Sequence, residues 1–316
     1  ILRPSTDVIN EWVGYGLLAF EQEILASCRK SGTTVASIEF SRLKDFVLPV
    51  PPVVEQTKIV EILEEQLARL DAAVKSVQTV REKATQFRRS LLHAAFTGAI
   101  TRHQSGLKPE GPPDGWDVKV LSEVGRWGSG GTPKATNSSY YGGSIPWAVI
   151  GDLNDELVTE TSNHITELGL SESSAKLVEP GTILIAMYGS IGKLGIAGVS
   201  MATNQAIAFV KSDESIVRRD YLFHFLGSQR EAFTSSGKGM TQQNISQTIL
   251  KSWPIPVAPL SEQEEIVEIL EEQLARLDAG LTVADEVERK ATALRRSLLH
   301  AAFSGELTRT WREANV

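Results

Sequence analysis

The sequence contains a single cysteine, Cys28, and no apolar run near the roughly 18 to 20 residues that a membrane-spanning helix needs. One cysteine excludes an intramolecular disulfide and is typical of a reducing compartment, so we expect a cytoplasmic protein in which Cys28 is an apolar filler. Acidic residues outnumber basic ones, giving a net charge of −7. A nucleic-acid-binding protein usually carries a basic surface, so this chain cannot rely on attraction to phosphates alone.

Motifs of the common enzyme classes are also missing. The segment 188–193 ends in Gly192 and Lys193, but a phosphate-binding loop needs glycine where Met187 stands and Ser or Thr where Leu194 stands. The histidines are dispersed, and there is no nucleophile elbow, zinc-protease motif or dinucleotide fingerprint. We therefore predict no catalytic residue and no metal site. A nucleotide-binding enzyme remains the least favoured alternative.

What is present is a long internal repeat. Residues 59–72 recur letter for letter at 266–279, inside a longer segment that aligns at a constant offset of 207. The period is far too long for a solenoid, so it indicates a duplicated pair of domains. Subtracting the offset from Gly115, where the globular part of the second copy begins, gives a position about 90 residues before Ile1. We expect the first copy to lack its front portion in this sequence.

Each copy of the repeat contains a long amphipathic helix. The apolar positions are Leu63, Leu67, Leu70, Val74, Val77, Val80, Ala84, Phe87 and Leu91, repeated at Leu270, Leu274, Leu277, Leu281, Ala284, Val287, Ala291, Leu294 and Leu298. Steps of three and four residues predict a coiled-coil seam with one slip in its phase. Two such seams favour antiparallel pairing of the helices over packing of each helix on its own domain. Ser261 and Glu264 predict a capping box, and Gly98 and Gly305 predict the helix ends.

A different pattern occupies the stretch between the helices. Short β-rich runs alternate with glycine and asparagine turns at residues 118–121, 145–150, 182–188, 195–199 and 206–210. One helical stretch follows at 219–233, with a counterpart at 11–25. We predict an α+β protein with these parts: the end of a first domain at 1–54, a long helix at 55–102, a linker at 103–114, a mixed α/β domain at 115–260 and a second long helix at 261–316.

Three loops of the α/β domain, at residues 128–134, 188–193 and 237–244, combine glycine with Lys, Asn, Gln, Ser or Thr. Such side chains can bond base edges and phosphates, although polar turn residues also simply face water. At offset 207 the Gln-Gln-Asn of 242–244 is replaced by Val-Ala-Ser at 35–37, whereas the helices are alike. This contrast indicates that the alike helices bind the same partner twice, whereas the differing loops recognise two different targets.

A set of short motifs together resembles the specificity subunit of Type I restriction-modification systems. The motifs are Gly115-Trp116, Gly130-Gly131-Thr132-Pro133, Ile145-Pro146-Trp147, Gly181-Thr182-Ile183-Leu184, residues 188–193, Asn204-Gln205, Pro254-Ile255-Pro256, Glu262-Gln263 and the repeated helical motif at 88–98 and 295–305. The resemblance covers essentially the whole chain. The chain departs from the family pattern in retaining only the last part of the first recognition domain.

The resemblance implies two target-recognition domains joined by two antiparallel helices, in which each domain reads half of a bipartite DNA sequence and the helices set the spacer. It implies double-stranded DNA, two DNA adenine-N6 methyltransferase subunits and restriction subunits as partners, and no membrane. S-adenosylmethionine, ATP and Mg²⁺ would belong to the partner subunits, and this chain would be non-catalytic. The alternative is a coiled-coil interaction or decoy protein of the same complex that reads no DNA itself.

Two groups of site residues follow from the polar loops, the repeat and the resemblance. The predicted DNA-binding residues are Thr132, Lys134, Tyr188, Ser190, Lys193, Asn204, Gln205, Lys238, Gln242, Gln243 and Asn244. The predicted partner-binding residues are Arg88, Arg89, His93 and Phe96 on the first helix and Arg295, Arg296, His300 and Phe303 on the second.

Overall fold

The computed structural model describes residues 4–30, 37–101, 113–237 and 244–315. The predicted DNA-binding residues Lys238, Gln242 and Gln243, and most of the predicted linker, lie outside these ranges. The chain divides into unit 1, Ile1–Ala84 with Leu277–Val316, and unit 2, Thr85–Arg276. Helices and sheets are both present, which confirms the α+β class. None of the helices in the described ranges is long and apolar enough to cross a membrane.

The helices and strands fall in two groups along the chain. The helices are α1 (Asn10–Ala19), α2 (Glu21–Cys28), α3 (Phe40–Leu43), α4 (Val53–Phe96), α5 (Glu167–Ser171), α6 (Arg219–Ser228), α7 (Arg230–Ser236), α8 (Gln247–Lys251), α9 (Leu260–Phe303) and α10 (Arg309–Asn315). The strands are β1 (Asp117–Val120), β2 (Gly125–Ser129), β3 (Tyr141–Ala148), β4 (Leu157–Val158), β5 (His164–Ile165), β6 (Leu177–Val178), β7 (Ile183–Ala186), β8 (Leu194–Ala197), β9 (Met201–Thr203), β10 (Ile207–Ser212) and β11 (Pro254–Val257).

The two long helices start directly after a proline. The carbonyl oxygen of Pro259 accepts bonds from the backbone N–H groups of Glu262 and Gln263, both at 2.9 Å, and Pro52 plays the same part in α4. A proline marks the start of a helix, because it disfavours helical backbone angles in the residue before it and has no N–H group to donate. The predicted capping box is wrong, since Ser261 lies inside the first turn of α9 rather than before it.

Both long helices end at the phenylalanine of the repeated motif, earlier than the predicted limits of 102 and 316. Gly98 and Gly305 follow with φ angles of 72° and 76°, which only glycine adopts at little cost. The predicted glycine ends are therefore confirmed. After Gly305 the chain forms the separate short helix α10 instead of extending α9, because the left-handed glycine turns the backbone away from the helix axis.

The helix segments of unit 1 lie antiparallel. The guanidinium of Arg81 bonds Asp285 at 2.7 Å and Glu288 at 2.6 Å, while Asp71, nearer the start of α4, pairs with Arg295, nearer the end of α9. The partner of the earlier residue in α4 is therefore the later residue in α9, as antiparallel helices require. Knobs-into-holes packing of a coiled coil stays a prediction.

The predicted apolar seam is only partly buried. Leu63, Val77 and Ala84 are buried, but Val80 is 48% exposed and Phe87 46% exposed, and the second copy departs in the same way at its matching positions. Two successive steps of three residues move the apolar stripe by about 120° around a helix with 3.6 residues per turn. The prediction is therefore wrong at Val80 and Phe87, whose side chains leave the buried face, although Ala84, which also follows the slip, stays buried.

The predicted helix at 219–233 is two helices, α6 and α7, which are separated at Gln229. Its counterpart in unit 1 is likewise two helices, α1 and α2, separated at Phe20. The bounds of α1 and α6 differ by 209 rather than 207. The two copies thus share a broken helix, and two residues more separate it from the long helix in the first copy.

The described residues of unit 2 form three sheets. β1 pairs with β11, a five-stranded sheet has the order β2-β10-β7-β8-β4, and a four-stranded sheet has the order β5-β3-β9-β6. Every residue of β7 is buried, which is why its sequence is a continuous apolar run. The strands β2, β10, β7 and β8 are antiparallel neighbours, so β2 and β7 end where β8 and β10 begin. We call this edge the loop end of the sheet. It consists of residues 129–134, which begin with the last residue of β2, and of the connecting segments 187–193 and 204–206.

Candidate nucleic-acid interface

The backbone of residues 130–134 is held against the sheet. Gly130 donates to the Ile207 carbonyl at 3.0 Å and Gly131 donates to the Thr203 carbonyl at 2.9 Å. A Cβ at Gly130 would lie 2.1 Å from the Thr203 carbonyl oxygen, so only glycine permits this approach. The indole of Trp147 donates to the Gly131 carbonyl at 3.1 Å. The loop therefore presents its side chains from a rigid backbone.

Thr132 and Gln205 meet at the loop end, because the Thr132 hydroxyl donates to the Gln205 side-chain oxygen. Both side chains are exposed, and so is that of Lys134. The side-chain oxygen of Asn204 accepts from the backbone N–H of Ala206 at 3.1 Å, which leaves its amino group to bond elsewhere. The structure therefore brings together two segments that lie about 70 residues apart in sequence.

The turn between β7 and β8 carries three more of the predicted residues. Tyr188 is 42% exposed, Ser190 is exposed and Lys193 is half-buried. Gly189 and Gly192 have φ angles of 62° and 77°, which give the turn its tight shape. The turn joins two antiparallel strands and no helix follows it, whereas a phosphate-binding loop leads into a helix. The geometry therefore supports the rejection of a nucleotide site here.

Asn244, the last residue of the third predicted loop, lies beside the start of the turn between β7 and β8. It forms an isolated antiparallel bridge with Tyr188, and the next residue, Ile245, donates to the Met187 carbonyl at 3.0 Å. Met187 in turn donates to the Ala206 carbonyl at 2.8 Å. Every predicted DNA-binding residue that the structure describes thus lies at the loop end of the sheet or is bridged to it.

The chemistry at this end is that of amides, hydroxyls and amines. The carboxamides of Gln205 and Asn244 can pair with the edge of adenine, while the amines of Lys134 and Lys193 can reach guanine or a phosphate. Within residues 4–30, 37–101, 113–237 and 244–315, no group of three or more His, Cys, Asp or Glu could hold a metal ion. The amide, hydroxyl and amine groups at the loop end are of the kinds that can bond to base edges.

The predicted partner-binding residues of the first helix differ in exposure. Arg89 forms an ion pair with Glu231, Arg88 is half-buried and His93 is exposed. All three border a groove of about 1040 Å³ in unit 2. Phe96 is a core residue of unit 2 with only 8% exposure. Phe96 also lines that groove, so its part in partner binding stays a prediction, as do those of the exposed residues of the motif.

The second copy of the motif lies within unit 1 and has the same pattern of exposure, although its ion pair is made by the counterpart of Arg88. Arg295 forms an ion pair with Asp71, and Arg296 and His300 are exposed. Phe303 is 9% exposed, with its ring centroid 4.3 Å from that of Trp12. It too is a core residue, and its part in partner binding stays a prediction. A binding surface on this motif would consist of its arginine and histidine side chains.

Residues 2–77 and 113–288 match the family model of the type I restriction modification DNA specificity domain. The chain belongs to this family. Over 306 residues it is 26% identical to the type I restriction enzyme EcoBI specificity subunit of Escherichia coli, covering 90% of this chain and 63% of that protein. Over 223 residues it is 30% identical to the EcoR124I/EcoR124II specificity subunit of Escherichia coli, covering 68% and 51%. The chain therefore spans less than two thirds of the length of these members of the specificity-domain family.

Solved structures share the fold. The HsdS subunit from Thermoanaerobacter tengcongensis matches with a TM-score of 0.55 and 21% identity, over 95% of this chain and 71% of that chain. A chain from a structure that describes complex assembly and conformational transition of the type I R-M system matches with a TM-score of 0.65 and 21% identity, over 94% and 71%. Identities this low support the specificity-domain fold and nothing finer.

Sequence reasoning missed two residues that shape the loop end. Arg230, the first residue of α7, donates to the Gly192 carbonyl at 2.9 Å and to Asp155 at 2.5 Å. Asp155 lies before β4 and also accepts from the backbone N–H of Leu194 at 2.9 Å. No local sequence signal marks this pair, because its members are 75 residues apart and each alone is an ordinary surface charge.

Proposed function

We propose that this chain is a non-catalytic sequence-specificity subunit of a type I restriction-modification complex, and that the loop end of unit 2 reads one half of a bipartite DNA site. The observation that carries the proposal is the convergence of the exposed amide, hydroxyl and amine side chains at one end of one sheet. Membership of the specificity-domain family and the names of the relatives support the same function.

The loop end suits sequence reading because its backbone is held and its polar tips are exposed. The backbone bonds of Gly130 and Gly131 hold residues 130–134, while the bridge between Tyr188 and Asn244 holds the start of residues 187–193. Side chains placed by a rigid scaffold can match the donor and acceptor pattern of a base pair in the major groove. Affinity needs further phosphate contacts, because the chain carries a net charge of −7. We assign those contacts to partner subunits.

The partners we propose are double-stranded DNA, two adenine-N6 methyltransferase subunits and restriction subunits in the cytoplasm, with S-adenosylmethionine, ATP and Mg²⁺ bound by those subunits. The support for two equivalent methyltransferase sites is the helical motif. Its exposed residues are identical in both copies, at Arg89 and Arg296 and at His93 and His300, and neither histidine serves the core. The paired helices would set the unread spacer between the half-sites.

The test is to map N6-methyladenine in cells that carry this chain with its methyltransferase and lack other adenine methylation. We expect a bipartite motif that depends on the chain. Gln205→Ala combined with Lys193→Ala should make one half of the motif degenerate and leave the other half intact. Lys119→Ala is the matched control, since Lys119 is half-buried like Lys193 but lies on β1 in a different sheet.

Two outcomes would overturn the proposal. Methylation that does not depend on the chain would exclude a specificity role. Methyltransferase binding without any DNA discrimination by the assembled complex would favour an interaction or decoy protein instead.

A further inference from the structure

The turn between β7 and β8 is held at Tyr188 by the bridge to Asn244 and within itself by the bond from the Lys193 N–H to the Ser190 carbonyl at 3.0 Å. Two of its residues, Gly189 and Gly192, have positive φ and no side chain, so the free turn would sample many conformations. Its inner side is held by the backbone bond from Gly192 to the Ala186 carbonyl at 2.9 Å and by the buried side chain of Ile191. Its outer side contains the exposed groups that the proposed function uses.

Arg230 holds that outer side. Its Nε donates to the Gly192 carbonyl at 2.9 Å, and its terminal nitrogen donates to Asp155 at 2.5 Å. The Cα of Arg230 lies 3.2 Å from where a Cβ on Gly192 would stand, so helix α7 lies directly against the turn. The planar guanidinium makes both bonds in one fixed geometry, which a lysine amine cannot reproduce.

Asp155 completes the arrangement from the loop that precedes β4. It is the one non-glycine residue with positive φ, 62°, in the ranges that the structure describes. Such a conformation is costly for aspartate and persists only where neighbouring bonds hold it. Those bonds are present, because Asp155 donates its backbone N–H to the Leu194 carbonyl at 2.8 Å and accepts from the Leu194 N–H through its carboxylate at 2.9 Å. Because Leu194 directly follows Lys193, these bonds also fix the backbone next to Lys193.

We infer that Arg230, acting with Asp155, is a positioning residue that sets the DNA-reading geometry of the β7–β8 turn. Arg230 bonds the turn at Gly192 and, through Asp155, is linked to Leu194, so its bonds lie on either side of Lys193 and place that residue without needing to touch DNA themselves. A residue of this kind determines how well one half-site is discriminated. The inference rests on the proposed function, because it concerns the same loop end.

The experiment uses the assembled complex of the full chain with its methyltransferase, and a DNA duplex that carries the mapped motif. Arg230→Met should weaken binding to that duplex by about tenfold, comparable to the loss of one well-placed base contact. It should also reduce the preference over duplexes with one changed base pair in the affected half-site. Arg230→Lys, which can keep one bond, should fall between Arg230→Met and the unchanged chain.

The matched control is Arg219→Met. Arg219 and Arg230 each begin a helix, each pair with an aspartate and each have side chains that are 40% exposed, but Arg219 bonds Asp220 on its own helix. It should leave DNA binding unchanged. The slope of log affinity against log salt should be the same for Arg230→Met and the unchanged chain, because no phosphate contact is removed.

Three results would overturn the inference. Equal DNA binding by Arg230→Met and Arg219→Met would show that the bonds of Arg230 to Gly192 and Asp155 do not contribute to DNA binding. A salt slope smaller by about one, with equal losses on all sequences, would make Arg230 a phosphate contact. A lowered melting temperature with equal losses at both half-sites would give it a purely structural role. Failure of the unchanged complex to discriminate any duplex would instead reject the proposed function.

Discussion

Units 1 and 2 use different side chains to make the same buried contacts. In unit 1 the indole of Trp12 donates to the Pro49 carbonyl at 3.1 Å, and its ring lies against Phe303. In unit 2 the hydroxyl of Tyr221 donates to the Pro256 carbonyl at 2.9 Å, and its ring lies 5.1 Å from that of Phe96. The duplication thus preserved contact geometry at a position where it did not preserve residue identity.

A buried glutamine makes equivalent contacts in both units, and here the residue itself is also the same. Gln263 is fully buried; its amino group donates to the carbonyls of Ile216 at 3.0 Å and Ala258 at 2.7 Å, and its oxygen accepts from the backbone of Arg218 at 2.8 Å. A buried amide with all these bonds joins the start of a long helix to the broken helix of its own unit.

Gln56 makes the same three bonds in unit 1. It donates to Asp7 at 2.9 Å and Pro51 at 2.7 Å, and it accepts from Ile9 at 3.0 Å. The units differ most outside this shared core. Val257 is 7% exposed where β11 pairs with β1, whereas its counterpart Val50 is 51% exposed. In unit 2 the pairing of β11 with β1 therefore buries a position that is exposed in unit 1, while the glutamine bonds stay alike.

The largest expected effect comes from removing the aromatic contact in either unit. Phe96→Ala and Phe303→Ala should each destabilise their own unit by about 3 to 5 kcal/mol, because each leaves a cavity in a core. Hydrogen exchange followed by mass spectrometry would localise the loss to one unit. If one substitution were neutral and the other severe, the two contacts would not be equivalent.

A second pair of substitutions tests the shared glutamine. Gln56→Ala and Gln263→Ala should each cost about 3 kcal/mol, since buried backbone partners lose their bonds. The two losses should be similar, because the bonds have nearly the same lengths. Urea unfolding measures them, and Gln78→Ala, at an exposed position of α4, should change stability by less than about 0.5 kcal/mol. Clearly unequal losses would break the equivalence.

The smallest expected effect is a pH dependence in unit 2 only. Burial lowers the pKa of His224, and nearby Arg88 lowers it further against the opposing effect of Asp220. Below about pH 6.5 the unfolded chain binds a proton that the folded chain does not, so unit 2 should lose stability as the pH falls through that range. The matching position in unit 1 is Tyr15, whose pKa is raised by burial and which stays neutral there.

Replacement of the histidine provides the control for this effect. His224→Gln should flatten the dependence of the free energy of unfolding on pH between about 7.5 and 5.5. Exchange rates in unit 1 should not change with this substitution. An unchanged slope in unit 2 would show that other groups cause its acid sensitivity.

Sequence periodicity predicted the features that depend on local backbone rules. The long helices, their glycine ends at Gly98 and Gly305 and the β-rich runs all follow from residues near each other in the chain. Periodicity failed where side chains from distant segments decide, as at Val80, which the phase slip moves off the seam. It also could not separate Phe96, a core residue, from the exposed His93 three residues earlier.

The DNA-binding prediction shows the same limit. The sequence identified polar loops, but their convergence depends on the antiparallel order of β2, β10, β7 and β8. That order is a property of long-range strand pairing and leaves no mark in any single loop. The positioning pair Arg230 and Asp155 is hidden for the same reason.

The central claim is that the loop end of unit 2 contacts DNA. Hydrogen exchange of the assembled complex, with and without a duplex carrying its methylation motif, tests it most directly. We predict slower exchange at residues 129–134, 187–193 and 204–206 when the duplex is added, and no such change with a duplex of scrambled sequence. Slower exchange confined to α4 and α9, with these three segments unchanged, would contradict the claim.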